Sequence, residues 1–256
     1  MILRSVTKHV KEQNWFAVVL DLVIVVFGVF IGIQVSNWNE KLVQEEVTSS
    51  LIQRLHGDLV NEHELIVNEL DYFVVVKKYA IKTLQGLRNG GLVNDEQFVI
   101  AAYQASQASG VWSYRSAYTE LVRTGNINLI KNDNLKSKIL GYYSADLINQ
   151  NKLTSETYLK YIRGIIPYEI QEMIKKECGD VITLVASNFA FRLPETCDLQ
   201  LPDELFSDAA ANLRSLPDML KNIQYQLSAN ARYTGNLTSY NKQTQKLMAA
   251  IEKYQP

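Results

Sequence analysis

The sequence has few of the residues that interrupt helices. Its 256 residues include only 12 glycines and 5 prolines, whereas turn-rich sandwiches and barrels use many of both. There are only 2 cysteines, and two cysteines without a nearby histidine make an incomplete set of zinc ligands. We therefore expect an all-α protein without a structural metal site.

The common catalytic and nucleotide-binding motifs are also missing. The sequence contains no G-x-S-x-G, P-loop, G-x-G-x-x-G, H-E-x-x-H or EF-hand pattern. His56 and His63 lie on one predicted helix face near Asp58 and Glu62, and we interpret this face as solvated surface rather than as a metal site. The prediction is a non-enzymatic protein that uses no cofactor.

Neither sign of charge predominates in the chain. The 26 basic and 27 acidic residues give a formal net charge of -1 and are dispersed along the sequence. Proteins that bind nucleic acid concentrate basic residues to neutralise phosphates. We therefore expect no nucleic-acid partner.

What the sequence does contain is one long apolar segment, WFAVVLDLVIVVFGVFIGIQVSNW, from Trp15 to Trp38. Its apolar run of about 20 residues is long enough to cross a bilayer and exceeds that of a typical cleaved signal peptide. The two tryptophans are separated by about 35 Å along a helix, a spacing that suits aromatic anchors at both interfaces. We predict an uncleaved transmembrane helix over residues 15–38.

The charges that flank this segment predict its orientation. The basic residues Arg4, Lys8 and Lys11 precede the segment. Directly after it come one lysine and three glutamates, Lys41, Glu40, Glu45 and Glu46. Lys and Arg accumulate on the cytoplasmic side of a span. Residues 1–14 are therefore predicted to be a cytoplasmic tail, with the rest of the chain on the periplasmic side of an inner membrane.

One side of the predicted span is small and polar. At about 100° per residue, Asp21 shares a helix face with Val25, Gly28, Gly32 and Asn39. Gly28 and Gly32 have the GxxxG spacing that lets helices approach closely, whereas a carboxylate within hydrocarbon costs several kcal/mol unless it is protonated or paired. Three interpretations are open for this face: a homodimer contact, a contact with another membrane protein, or a proton carrier at Asp21.

Two segments of the chain stand out, NWFAVVLDLVIVVFGVFIGIQVSNWNE and YRSAYTELVRTGNINLIKNDNLKSKILGYYS. They resemble the recurring segments of an uncharacterised family of bacterial single-span membrane proteins. The matching positions in the first segment are Asn14, Trp15, Asp21, Gly28, Gly32, Gln34, Asn37, Trp38, Asn39 and Glu40. The resemblance implies a location in the bacterial inner membrane and a single-span architecture, and it implies no activity.

Beyond the span, apolar residues recur at steps of three and four with no proline and only Gly57 before Gly86. This spacing predicts a stalk helix over residues 39–89, with a break near Gly57 as the alternative. The apolar face comprises Leu51, Leu55, Leu59, Ile66, Leu70, Phe73, Val76, Ala80, Leu84 and Leu87, and Glu62 interrupts it. Residues 90–256 are predicted to form a helical domain that packs with the stalk, its last helix antiparallel to it.

Shorter helices are predicted within the domain from capping residues and apolar spacing. One helix is predicted from Asn94 or Asp95 to Ser109, one ends at Gly125 and one begins at Asp133. Two more cover 144–164 and 168–177, and the last two begin at Pro202 and Pro217. The segment near 180–197 breaks the pattern and is predicted to be a short hairpin or an irregular insertion.

Cys178 and Cys197 bracket this insertion. Outside the cytoplasm they would form a disulfide that stabilises the domain by roughly 3 kcal/mol, and two reduced thiols are the alternative.

Aromatic residues concentrate around a predicted helical hairpin, namely Trp112, Tyr114, Tyr118, Tyr142 and Tyr143. They could border a ligand cleft, although aromatic residues at helical spacing more often pack in a core. Both interpretations are open.

Together these features predict a single-pass membrane protein whose periplasmic helical domain is an interaction module. Its expected partners are the lipid bilayer and either a second copy of the chain or another membrane protein. One alternative is a sensor that binds a small molecule and signals through a partner. Another is an ion-coupled, energy-transducing subunit that uses Asp21. No pattern identifies a ligand.

Overall fold

The computed structural model describes residues 15–88, 93–145, 156–185 and 188–254. One long helix forms the centre of the fold. This helix, α1, spans Trp15–Arg88 and is about 110 Å long at the usual rise per residue. It passes through Gly57 without interruption, so the alternative of a break there is wrong. The predicted span and stalk are one continuous helix, and the predicted tail over 1–14 lies outside the described residues.

The two ends of α1 have opposite surroundings. From Trp15 to Val47 almost every described side chain is exposed, and this stretch is long and apolar enough to cross a membrane. From Thr48 onwards one side of the helix is buried, as the three- and four-residue spacing of its apolar residues predicts.

The domain around the second part of α1 is almost wholly helical, which confirms the all-α prediction. The other described α-helices are α2 (Asp95–Gln104), α3 (Ser116–Arg123), α4 (Asp133–Ala145), α5 (Glu156–Arg163), α6 (Tyr168–Cys178), α7 (Glu204–Ser215) and α8 (Met219–Glu252). A 3-10 turn, Asn126–Leu129, lies between α3 and α4.

The last long helix, α8, packs along α1 in the opposite direction. Glu62 on α1 contacts Tyr240, and Glu69, two turns further along α1, contacts Tyr233, which is earlier on α8. The expected antiparallel packing against the stalk is therefore present.

The helix ends follow the capping signals with one difference. The Asn94 side chain accepts a hydrogen bond from the Gln97 N–H at 2.9 Å, as a capping residue should. However, α2 ends at Gln104 and does not continue to Ser109. After the helix ends, Ser106 Oγ donates to the Tyr103 carbonyl, and Ser109 Oγ donates to Glu69 on α1.

The helix predicted over 144–164 falls partly outside the described residues, which resume at 156 within α5. Helix α4 begins at Asp133 as expected, and Gly125 adopts a left-handed φ of 76° just after α3. Glycine adopts this conformation without steric cost, which explains the end of the α3 segment.

The insertion forms a two-stranded antiparallel hairpin. Strands β1 (Val181–Val185) and β2 (Asn188–Arg192) pair with Val181 opposite Arg192 and Val185 opposite Asn188. Ala190 is buried where β2 meets α1. The predicted β-like insertion is therefore confirmed as a hairpin that lies against the long helix.

The core lies between α1, α2, α7 and α8. Its largest fully buried side chains include Tyr72, Phe73, Phe98, Phe206, Leu55 and Leu59. A Cβ atom added at Gly86 would lie 2.5 Å from Phe98 Cδ2, so glycine allows α2 to approach the end of α1 closely.

Candidate functional site: two faces of the long helix

The predicted contact face in the first part of α1 lies clear of the domain. A Cβ atom added at Gly28 or Gly32 would have no other described atom within 4 Å apart from the neighbouring helix backbone. Asp21 is half-buried, and its Oδ2 has no hydrogen-bond partner among the described residues. Trp15 and Trp38, the predicted anchors, are both exposed. This face can accept another helix, and which helix it accepts stays a prediction.

In the second part of α1, Glu62 lies at the centre of a buried hydrogen-bond network. Its Oε1 accepts hydrogen bonds from the hydroxyls of Tyr142 and Tyr240, and its Oε2 accepts from the Tyr114 N–H at 2.9 Å. Thr244 Oγ1 lies 2.8 Å from the Tyr142 hydroxyl and extends the network. Glu62 is 0% exposed, so its interpretation as solvated surface is wrong. Burial is tolerated because donors from three directions satisfy the carboxyl group.

The tyrosines around Glu62 are held in their protonated form. Burial raises the pKa of Tyr142 and Tyr240 well above the usual range, and the charge of Glu62 raises it further. Burial and the same carboxyl group also raise the pKa of Tyr143. Both hydroxyls that reach Glu62 therefore stay hydrogen-bond donors, which suits a structural network.

The two histidines contact α8 rather than one another. His56 Nε2 lies 3.1 Å from Glu252 Oε1, and His63 Nδ1 lies 2.6 Å from Asn241 Oδ1. Asp58 is half-buried and accepts hydrogen bonds at the start of α3. Within the described residues no group of three or more candidate ligands could hold a metal ion. The predicted solvated face is therefore wrong, because these side chains join α1 to its neighbours.

Glu69 repeats the arrangement of Glu62 two helical turns further along α1. Its Oε1 accepts from the Tyr233 hydroxyl at 2.9 Å and its Oε2 from Ser109 Oγ at 2.8 Å. Burial raises the pKa of Glu69 to about 7, the charge of Asp180 adds to this, and the two hydrogen bonds oppose it. Glu69 therefore changes its charge near neutral pH, although it is almost wholly buried.

A crevice opens beside Glu69 between β2 and the segment that precedes α3. Its lining consists of Leu65, Asn68, Glu69, Gly110, Val111, Trp112 and Phe189–Phe191. Trp112 is 56% exposed at its rim. The cavity volume of the crevice is only about 10 Å³, which is room for about one water molecule, and both oxygens of Glu69 already accept hydrogen bonds within the domain.

The five aromatic residues predicted to border a cleft do not line one cavity. Tyr118 stacks on Tyr143 at a centroid distance of 4.2 Å, and Tyr142 stacks on Tyr240 at 5.2 Å. Tyr114 contributes its backbone N–H to Glu62. Tyr118, Tyr142 and Tyr143 therefore pack against other aromatic rings, and Trp112 is the one of the five that lines the crevice.

The hairpin presents an apolar surface and is closed by a disulfide. Cys178 and Cys197 are bonded, with their Cα atoms 5.6 Å apart. Ile182, Leu184 and Phe189 are 61%, 72% and 58% exposed. The register pairs Leu184 with Phe189, so these side chains form a continuous patch on one side of the hairpin.

The buried positions of the Glu62 and Glu69 carboxyl groups were not predicted from the sequence. Glu62 and Glu69 occupy the same three- and four-residue series as Ile66 and Phe73, which are buried. A carboxyl group at a core position of an apolar stripe was the available signal for a buried network.

Comparison with known proteins identifies no relative: no protein-family model, curated protein or solved structure matches the chain. The resemblance to an uncharacterised bacterial membrane family stays a prediction.

Proposed function

We propose that this chain is a single-pass membrane protein whose helical domain is a non-enzymatic interaction module. The span makes protein contacts through the face of Asp21, Gly28 and Gly32, with a second copy of the chain or with another membrane protein. The proposed location is a bacterial inner membrane, with the N-terminus in the cytoplasm and the domain in the periplasm.

The continuity of α1 is the observation that carries this proposal. The same 74-residue helix is exposed and apolar at one end and forms the centre of the domain at the other. A rigid helix couples the position of the domain to the position of the span, because no loop separates them. Such coupling suits a protein that holds or senses a partner at the membrane.

The orientation is supported by charge and by cysteine chemistry. Basic residues precede the span and glutamates follow it. Disulfides form and persist in oxidising compartments, and the bond between Cys178 and Cys197 suits a domain outside the cytoplasm. A reporter enzyme fused to either end of the chain tests this: activity of a periplasmic reporter at the N-terminus would contradict the orientation.

The span contact is tested with photo-crosslinking amino acids in native membranes. Val25 and Val35 flank the Gly28 and Gly32 face, whereas Val23 lies on the opposite side of the helix. Probes at Val25 and Val35 should give protein adducts, and a probe at Val23 should give mainly lipid adducts. Lipid adducts alone at all three positions would overturn the proposed contact.

A further inference from the structure

The stretch of α1 directly after the proposed span exposes large apolar side chains. Between Trp38 and Thr48, the exposed fractions of Leu42, Val43 and Val47 are 48%, 51% and 43%. The domain begins to cover α1 only at Thr48, which is 4% exposed. Exposed apolar residues that cluster on a helix are typical of a surface that another chain or a membrane covers.

The apolar and small residues in this stretch continue a pattern that begins within the span. Gly28, Gly32, Val35, Asn39 and Leu42 follow one another at alternating steps of four and three residues. This alternation is the seam spacing of a two-stranded coiled coil, in which each helix meets its partner every 3.5 residues. The seam therefore crosses the end of the span without a change of phase.

The domain lies on the other side of α1 from this seam. At about 100° per residue, Asn39 points about 160–180° away from the buried Thr48 and Leu59. Glu45, on the flank towards the domain, instead contacts Lys131 at 3.1 Å. A helix that approaches the seam would thus meet α1 without displacing the domain.

We propose that a second copy of the chain occupies this face, and that two α1 helices pair in parallel and in register from Gly28 to Leu42. This inference rests on the proposed function and names the partner of its span contact. Two copies inserted with the same orientation can pair only in parallel, so each seam residue faces its own counterpart. Glycine opposite glycine allows close approach within the span.

Asn39 fixes the register of this pairing, and Glu46 ends it on the side towards the domain. The carboxamide of Asn39 has both a donor and an acceptor, so it is complementary to a second Asn39, and a single seam asparagine favours parallel, in-register dimers. The next seam position is Glu46, where two carboxylates would face each other. The two helices therefore separate between Leu42 and the domain, and the two domains diverge.

Single-cysteine crosslinking of the full chain in native membranes tests the seam. Cys178 and Cys197 are bonded to each other, so one introduced cysteine is the free thiol of each copy. Asn39→Cys and Leu42→Cys lie on the seam, whereas Lys41→Cys and Gln44→Cys lie on the side of the domain. Under mild oxidation, the first two should give a disulfide-linked dimer as the main product, and the other two and the unmodified chain should stay monomeric.

A second variant connects the exposed part of the seam to the span. In the Leu42→Cys background, Gly32→Leu should abolish the dimer, because a leucine would hold the helices apart, whereas Val23→Leu on the opposite face should leave it unchanged. If Gly32→Leu and Val23→Leu both abolish the dimer, or if the dimer persists in both variants, the assigned seam is wrong.

The remaining outcomes separate this inference from the proposed function. Equal crosslinking at positions 39, 41, 42 and 44, or none at any of them, overturns the parallel homodimer. If photo-probes at Val25 and Val35 then capture a different protein, the span contact stands and only the second copy is wrong. If those probes capture only lipid, both proposals are wrong.

Discussion

Polar groups have opposite surroundings in the two parts of α1. In the first part, apolar side chains point outward and Asp21 Oδ2 has no partner among the described residues. In the second part, apolar side chains point into the domain, and Glu62 and Glu69 are buried among hydroxyls that the chain itself supplies. One helix is thus suited to two surroundings, with lipid as the expected surroundings of its exposed apolar part.

This difference shows where an outside partner is needed. The carboxyl groups of Glu62 and Glu69 are satisfied within the fold, so the domain can be stable as a single copy. The first part of α1 lacks comparable internal contacts, and a second chain can supply them. Measurements of stability therefore test the domain, and measurements of association test the exposed apolar part of α1.

The largest expected effect comes from removing the carboxyl group of Glu62. Glu62→Leu would leave the buried hydroxyls of Tyr142 and Tyr240 and the N–H of Tyr114 without their acceptor. We expect the free energy of unfolding of the domain to fall by about 3–5 kcal/mol, since each unsatisfied buried group costs about 1–3 kcal/mol. Chemical denaturation of the full chain in detergent micelles, followed by circular dichroism, measures this loss.

Glu64→Leu is the matched control for that experiment, because Glu64 is exposed on the same part of α1. Its effect should stay within about 0.5 kcal/mol. If Glu62→Leu were as mild as this control, the buried network would contribute little to the domain.

The next effect is that of the disulfide, which restrains the hairpin against the helices. Replacing Cys178 and Cys197 by serine releases a loop whose ends are 19 residues apart. The loop-entropy description gives a loss of about 3 kcal/mol. Denaturation of the double variant, compared with the oxidised chain, should show this loss in the domain transition. Equal stability of the reduced chain and the oxidised chain would contradict the expected contribution.

Glu69 should make the domain more stable in mild acid. Below about pH 4.5 the carboxyl group is protonated in both the folded and the unfolded chain. As the pH rises to about 7, only the unfolded chain ionises readily, because burial raises the pKa of Glu69 from 4.5 to about 7 when the domain is folded. Stability is therefore lost across this window, by up to about 3 kcal/mol, and the loss is complete above pH 7.

Glu69→Gln removes this pH dependence because an amide does not ionise. The difference in unfolding free energy between pH 5 and pH 8 should be smaller in this variant than in the unmodified chain, and Glu64→Gln should leave it unchanged. Identical pH profiles for Glu69→Gln and the unmodified chain would show that Glu69 ionises normally in the folded domain.

Local signals in the sequence predicted the all-α class and several helix starts, whereas contacts between distant residues decided the surroundings of the buried polar groups. The length of the apolar run predicted the first part of the long helix, and the spacing of apolar residues predicted its second part. Asn94 and Asp133 marked helix starts correctly. The surroundings of Glu62 could not be predicted in this way, because its tyrosine partners are 80 and 178 residues away in the chain. The crevice at Trp112 likewise needs β2, which folds back on α1 from much later in the sequence.

The smallest expected effect tests the rigidity of α1 itself. A Cβ atom added at Gly57 would have no other described atom within 4 Å beyond the neighbouring helix backbone, so Gly57→Ala should raise the free energy of unfolding by up to about 1 kcal/mol through helix propensity alone. Gly86→Ala is the matched substitution in the same helix and should lower it, because the new methyl group would clash with Phe98. Thermal unfolding of both variants measures the two signs. Destabilisation by Gly57→Ala would mean that α1 uses this glycine to bend, and the rigid coupling between span and domain would then be wrong.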